Sequence, residues 1–87
     1  MSRLTIPEHV MVRRLGEECV ILDMASGTYF GLDAIGTRVW QLLTETGSPV
    51  EIGEQLAREY DVTPQEAAVD LARLVEELAA NGLLIVE

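Results

Sequence analysis

Residues 26–33 read Ser26-Gly27-Thr28-Tyr29-Phe30-Gly31-Leu32-Asp33, and this stretch carries the chain from sheet to helix. Gly27 is free to take a positive φ, so it makes a turn with Ala25 and Ser26. Thr28 to Leu32 follows as a short strand holding Tyr29 and Phe30. Asp33 is an N-cap residue for a helix over Ala34 to Thr46. The apolar positions Ile35, Val39, Leu42 and Leu43 have helical spacing. Trp40 lies on the same helix and is expected in the core. Gly47 is expected to end the helix.

Upstream of that stretch the texture is strand-like. Cys19 to Met24 forms a run built on Val20, Ile21 and Leu22. Gly16, Glu17 and Glu18 form a turn before it, and Val10 to Arg14 is a β-rich run after Pro7. Short turns make these three strands antiparallel neighbours in the order one, two, three. The third strand is then an edge unless another element covers it.

Downstream the texture is helical. Ser48-Pro49 opens a second helix, running to about Tyr60, by the N-cap and first-turn proline rule, with Val50, Ile52, Leu56 and Tyr60 as its apolar positions. Thr63-Pro64-Gln65-Glu66 is a capping box that starts a third helix, and Asn81-Gly82 stops it after Ala80. Leu83 to Val86 adds a short extended segment. On the third helix, at ~100° per residue, Ala67, Ala68, Leu74, Val75 and Leu78 lie within about 60° of Leu71 and form the core stripe. Asp70, Glu77 and Asn81 form a polar flank beside Leu74, with Arg73 toward solvent. The fold class is therefore α+β: an N-terminal three-stranded antiparallel sheet followed by three helices, winged helix-turn-helix-like.

The 87 residues amount to a single domain, residues 1–87. Apolar residues make up 48% and charged residues 24%, which is globular composition. One cysteine, Cys19, rules out an intramolecular disulfide and a cysteine zinc site. One histidine, His9, rules out a paired-histidine metal motif. No apolar run approaches the ~20 residues that span a membrane. Met1, Ser2, Arg3 and Leu4 show no signal-peptide pattern, so a cytoplasmic location and no membrane partner are expected.

The 15 acidic and six basic side chains give a net charge of −9. Residues 33–87 carry eleven acids against three arginines. The third helix, which would be the recognition helix of a DNA-binding protein, holds Glu66, Asp70, Glu76 and Glu77 against Arg73 alone. That charge opposes a polyanion, so no nucleic-acid partner is expected. A winged-helix shape that does not bind DNA points to a protein partner.

Catalytic chemistry has little to stand on. Cys19 sits in an alternating strand as a small core hydrophobe, and nothing in its spacing pairs it with His9 as nucleophile and base. His9 reads as a surface residue. The glycines match no phosphate-cradling or dinucleotide loop, and no calcium loop is present. No catalytic residue, metal or cofactor is expected. The edge strand is the informative feature. Thr28-Tyr29-Phe30-Gly31-Leu32 has few charges and neither lysine nor proline to guard it, so an extended peptide can add as a further strand.

The run Val20-Ile21-Leu22-Asp23, Ser26 to Asp33, Gly36 and Val39-Trp40-Gln41-Leu42-Leu43 resembles the PqqD-like proteins. These are recognition elements for ribosomally made, post-translationally modified peptides. Tyr60-Asp61-Val62, Asp70-Leu71, Leu74, Leu78 and Gly82-Leu83-Leu84 match the same pattern, so the resemblance covers roughly residues 10–85. The form Ser-Gly-Thr-Tyr-Phe-Gly-Leu-Asp is most similar to the stand-alone leader-binding subunits of lasso-peptide pathways. Asp33 stands where asparagine is common, and both are N-cap residues.

The resemblance implies that a precursor's leader peptide docks along Thr28, Tyr29, Phe30, Gly31 and Leu32 and against Asp70, Arg73, Leu74 and Glu77. It implies a separate cysteine protease that removes the leader and an ATP-dependent cyclase. The expected function is thus a non-enzymatic adaptor that binds the leader by strand addition and presents it to the protease. The alternatives are a PqqD-type peptide chaperone for a radical enzyme and an acidic winged-helix protein–protein interaction module.

Overall fold

In the computed structural model, which describes residues 3–87, the chain forms five strands and three helices. Met1 and Ser2, part of the N-terminal segment read above for a signal peptide, lie outside the described residues. The elements are β1 (Leu4–Thr5), β2 (Val10–Leu15), β3 (Glu18–Asp23), β4 (Tyr29–Leu32), α1 (Ala34–Glu45), α2 (Pro49–Glu59), α3 (Pro64–Ala80) and β5 (Ile85–Val86). β2, β3 and β4 make the expected antiparallel sheet in that order, followed by three helices in an α+β arrangement.

The β2–β3 connection is a two-residue turn. Gly16 takes φ 69° while Glu17 does not take a positive φ, which is the glycine-first hairpin turn. Leu15 then pairs with Glu18 and Val12 with Ile21. Each helix starts where the sequence sets a cap. Asp33 Oδ1 accepts the Gly36 N–H at 2.8 Å, Ser48 Oγ accepts the Glu51 N–H at 3.3 Å, and Thr63 Oγ1 accepts the Glu66 N–H at 3.1 Å. α3 ends as expected. Gly82 takes φ 73°, the Gly82 N–H donates to Ala79 O and the Leu83 N–H reaches back to Leu78 O at 2.9 Å.

Alternation along β3 buries Cys19, Ile21 and Asp23 on the side facing the helices. Ile21, Ile52 and Leu78 are fully buried, so β3, α2 and α3 meet at the centre of the core. Trp40 joins them at 4% exposure. α3 packs mainly on α2, while α1 lies against β3, β4 and α2.

Several expectations change. Ile35 and Val50 are exposed, because both stand in the first turn of a helix, where no neighbour closes over them. Ala68 is exposed and Leu74 only half-buried, since α2 covers one side of α3 and the buried residues narrow to Ala67, Leu71, Val75 and Leu78. Gly47 does not end α1 through a left-handed conformation. Thr46 leaves the helix with extended dihedrals. Gly47 is small for another reason: a Cβ there would sit 2.8 Å from the Leu4 carbonyl oxygen. The Leu4 N–H donates to the Gly47 carbonyl at 2.8 Å, so β1 runs directly over this point. β1 itself was not foreseen. It pairs with β5, Leu4 opposite Val86 and Thr5 opposite Ile85.

Candidate peptide-docking edge

The turn between β3 and β4 sets which atoms of β4 are free. The Gly27 N–H donates to the Asp23 carbonyl at 2.8 Å, and the Asp23 N–H donates to the Thr28 carbonyl at 2.9 Å. With Gly27 at φ 77°, Gly27 and Thr28 form a glycine bulge opposite Asp23. The Asp23 carboxylate ties the loop from inside, its Oδ1 accepting the Ala25 N–H at 2.9 Å and the Ser26 N–H at 3.3 Å. Desolvation pushes this carboxyl up, but hydrogen bonds from Ala25 and Ser26, together with nearby His9, outweigh it. Its pKa falls below the ordinary aspartate value. His9 Nε2 lies 3.8 Å from Asp23 Oδ1 and 3.2 Å from the Gly82 carbonyl.

From that bulge the antiparallel ladder alternates. Phe30 lies opposite Ile21 and Leu32 opposite Cys19, in the positions whose main-chain groups turn toward β3. Tyr29 and Gly31 lie opposite Leu22 and Val20, in the positions whose main-chain groups turn away. Among the described residues, β4 has no partner on that outer side. The open edge therefore offers two N–H donors and two carbonyl acceptors, those of Tyr29 and Gly31.

The expected docking residues fall into distinct roles. Thr28 precedes the strand, its carbonyl taken by Asp23 and its N–H directed to Ser26 Oγ. Phe30 is half-buried against the core. Leu32 is buried, and its carbonyl also accepts the Thr37 hydroxyl at 3.4 Å. These two anchor the strand from behind. Tyr29 is 76% exposed on the sheet face away from the helices. At Gly31 an added Cβ would meet nothing within 4 Å, so the approach to this backbone is open.

On α3, Asp70 and Glu77 are exposed and Leu74 packs half-buried against the same core that receives Phe30. Arg73 is not independent of the acidic flank, since its Nη1 lies 3.5 Å from Asp70 Oδ1. The reading from sequence missed which strand residues expose their main chain. The signal available was Gly27, whose left-handed conformation sets the bulge and thus the parity of everything after it.

Cys19 is 2% exposed within β3, as a core residue rather than a reactive thiol. No helix among the described residues is long and apolar enough to cross a membrane. No group of three or more His, Cys, Asp or Glu side chains among them is arranged to hold a metal ion.

The fold is shared with solved structures. One, TbiB1 in complex with the TbiA(beta) leader peptide, is 37% identical, with a TM-score of 0.90 over 100% of this chain and 98% of that chain. Another, lasso peptide synthetase B1 complexed with the leader peptide, is 28% identical, with a TM-score of 0.88 over 98% of this chain and 100% of that one. No curated protein matches the chain. Residues 18–84 match the family described as coenzyme PQQ synthesis protein D, a span from the first residue of β3 to the segment after α3, and the chain belongs to the PqqD family.

Proposed function

We propose that this protein binds the leader segment of a ribosomally made precursor peptide as an added strand along β4, and presents it to a separate cysteine protease in lasso-peptide maturation. It acts as an adaptor and catalyses no step itself. The observation that carries this reading is the open edge of β4, where Tyr29 and Gly31 offer unpaired main-chain groups from a strand held in the core by Phe30 and Leu32. Two structural neighbours that span this whole fold are complexes with leader peptides.

In this reading the main chain supplies most of the affinity, at ~0.5–1.5 kcal/mol per hydrogen bond. Leu74 supplies an apolar contact from α3, and Asp70 and Glu77 meet basic leader residues. Arg73 then limits how much of the Asp70 charge the leader feels. Exposed charge pairs contribute only ~0.2–1 kcal/mol each, so they tune selectivity more than strength.

The test is titration of the fluorescently labelled TbiA(beta) leader peptide, the ligand of a 37% identical structural neighbour. Gly31→Pro removes an outward donor without touching the β3 ladder. Its circular dichroism should match the parent and its leader affinity should fall about tenfold or more. Asp70→Arg with Glu77→Arg should weaken a basic leader by a smaller factor. A folded Gly31→Pro protein that binds the leader like the parent refutes strand addition at β4. Leader binding that does not accelerate leader removal by the protease refutes presentation, and favours the peptide-chaperone role.

A further inference from the structure

The sheet has a second open edge, on β2. The Met24 N–H donates to the His9 carbonyl at 2.8 Å, which sets the parity of this ladder. Met11, Arg13 and Leu15 then turn their main-chain groups to Leu22, Val20 and Glu18 of β3. Val12 and Arg14 turn theirs outward, where no described residue bonds them. At six residues, β2 is longer than β4 with its four.

Its chemistry is the reverse of the rest of the molecule. The strand Val10-Met11-Val12-Arg13-Arg14-Leu15 carries two arginines and no acid, on a chain of net charge −9. Arg38 and Arg73 each pair with a carboxylate. The Arg14 side chain donates to the Gly16 carbonyl at 3.0 Å, and among the described residues neither Glu17 of the turn nor Glu18 at the start of β3 makes an ion pair with either β2 arginine. Arg13 shares a sheet face with Met11 and Leu15, which are 54% and 60% exposed. Arg14 lies on the other face, beside a hollow of about 400 Å³ that also involves Glu17, Thr37, Arg38, Gln41 and Tyr60. A segment laid along β2 would thus meet one guanidinium on each of its faces and apolar side chains between them.

We infer that the open edge of β2 is a second strand-docking site, one that takes an extended, carboxylate-bearing segment of a protein partner. Two unpaired donors and their carbonyls supply the backbone match. The arginines supply the choice of partner. A second copy of this chain is disfavoured, because it would set two basic strands together on two bodies of charge −9. The site does not depend on leader binding at β4, since a different strand provides it.

The test uses the full chain, isotope-labelled for NMR, with two capped heptapeptides that alternate valine with glutamate or valine with lysine. At low salt the glutamate peptide should shift the Val12 and Arg14 amide signals and slow their hydrogen exchange. It should bind about threefold more tightly than the lysine peptide, the size one exposed charge pair permits, because alternation puts every charged side chain of the peptide on one face and so beside one of the two arginines. The charge of the body works against that preference, so only the local arginines can produce it. Arg13→Glu with Arg14→Glu should reverse the preference while leaving circular dichroism unchanged. Val12→Pro should abolish binding of the glutamate peptide; if that variant unfolds, the double charge reversal still decides. Signal changes confined to Tyr29 and Gly31, no changes at all, or equal binding of the two peptides would overturn the inference.

Discussion

β2 and β4 are the two outer strands of one sheet, and each has alternate main-chain groups that no described residue bonds. They differ in what stands behind them. β4 places Phe30 and Leu32 on the helix side, half-buried and buried, and passes through the Asp33 cap directly into α1. On the same side β2 places Val10 half-buried, then Val12 and Arg14 exposed. β4 is therefore a stiff template, with its hydrogen-bonding groups held at fixed spacing by the core. β2 is a ribbon held chiefly by its ladder to β3, and its selectivity has to come from charge. Under the two proposals, the same open-edge pattern would serve as a preorganised docking surface in one place and an electrostatically chosen one in the other.

The largest test of this difference removes what supports β4. Trp40 is 4% exposed on α1, the helix that lies against β3 and β4. Trp40→Ala should cost about 3–5 kcal/mol in denaturant unfolding, a large share of the stability of so small a protein. A variant that unfolds like the parent would mean that α1 is not the support of that edge.

Next in size is a matched pair of prolines. Gly31→Pro on β4 should lower leader affinity about tenfold or more, whereas Val12→Pro on β2 should leave it within about twofold. Both remove an outward N–H, so equal effects would erase the distinction between the edges. Asp33→Ala comes third. Loss of the cap where β4 becomes α1 should cost about 1 kcal/mol, measured by thermal or chemical unfolding, and should speed hydrogen exchange near the start of α1.

The smallest effect is a control on an ion pair between two helices. Arg38 Nη2 lies 2.6 Å from Glu59 Oε2, joining α1 to α2. The hydrogen bond from Arg38, aided by one from Gln55, lowers the Glu59 carboxyl from 4.5 to about 2. A depressed carboxylate stabilises the fold above its unfolded value and loses that contribution as pH falls through its folded one. This component should therefore fade between pH 4.5 and about 2. Glu59→Gln should lower stability at neutral pH by less than about 1 kcal/mol and flatten that part of the acid profile, with leader affinity unchanged.

Much of the fold was legible because its signals are local. Gly16 and Gly27 at positive φ mark two hairpin turns, and Asp33, Ser48 and Thr63 each cap the helix that follows them. The β1–β5 pairing was not legible, because two residues near each end of the chain carry no periodicity to read. Gly47 misled for a related reason: its smallness serves the distant Leu4 carbonyl, not its own helix end. The candidate site was legible as a strand but not as a set of atoms. A one-residue change at the Gly27–Thr28 bulge would exchange the roles of Tyr29 and Phe30, and the composition of the strand would look the same. On α3 the wheel found the flank of Asp70 and Glu77, but the Arg73–Asp70 contact within it depends on side-chain geometry.

Cys19 gives the molecule a built-in clock for local opening. It is the chain's one thiol, it is 2% exposed, and it lies directly opposite Leu32 across the β3–β4 ladder. A thiol reagent reaches its sulfur only when that junction separates or the core loosens, so the labelling rate measures how often this happens in the native state. A peptide that lengthens the sheet along β4 should slow the clock, and one that adds to β2 should slow it less. A single native thiol in the middle strand thus reports how firmly the sheet is closed, with no dye placed on either rim.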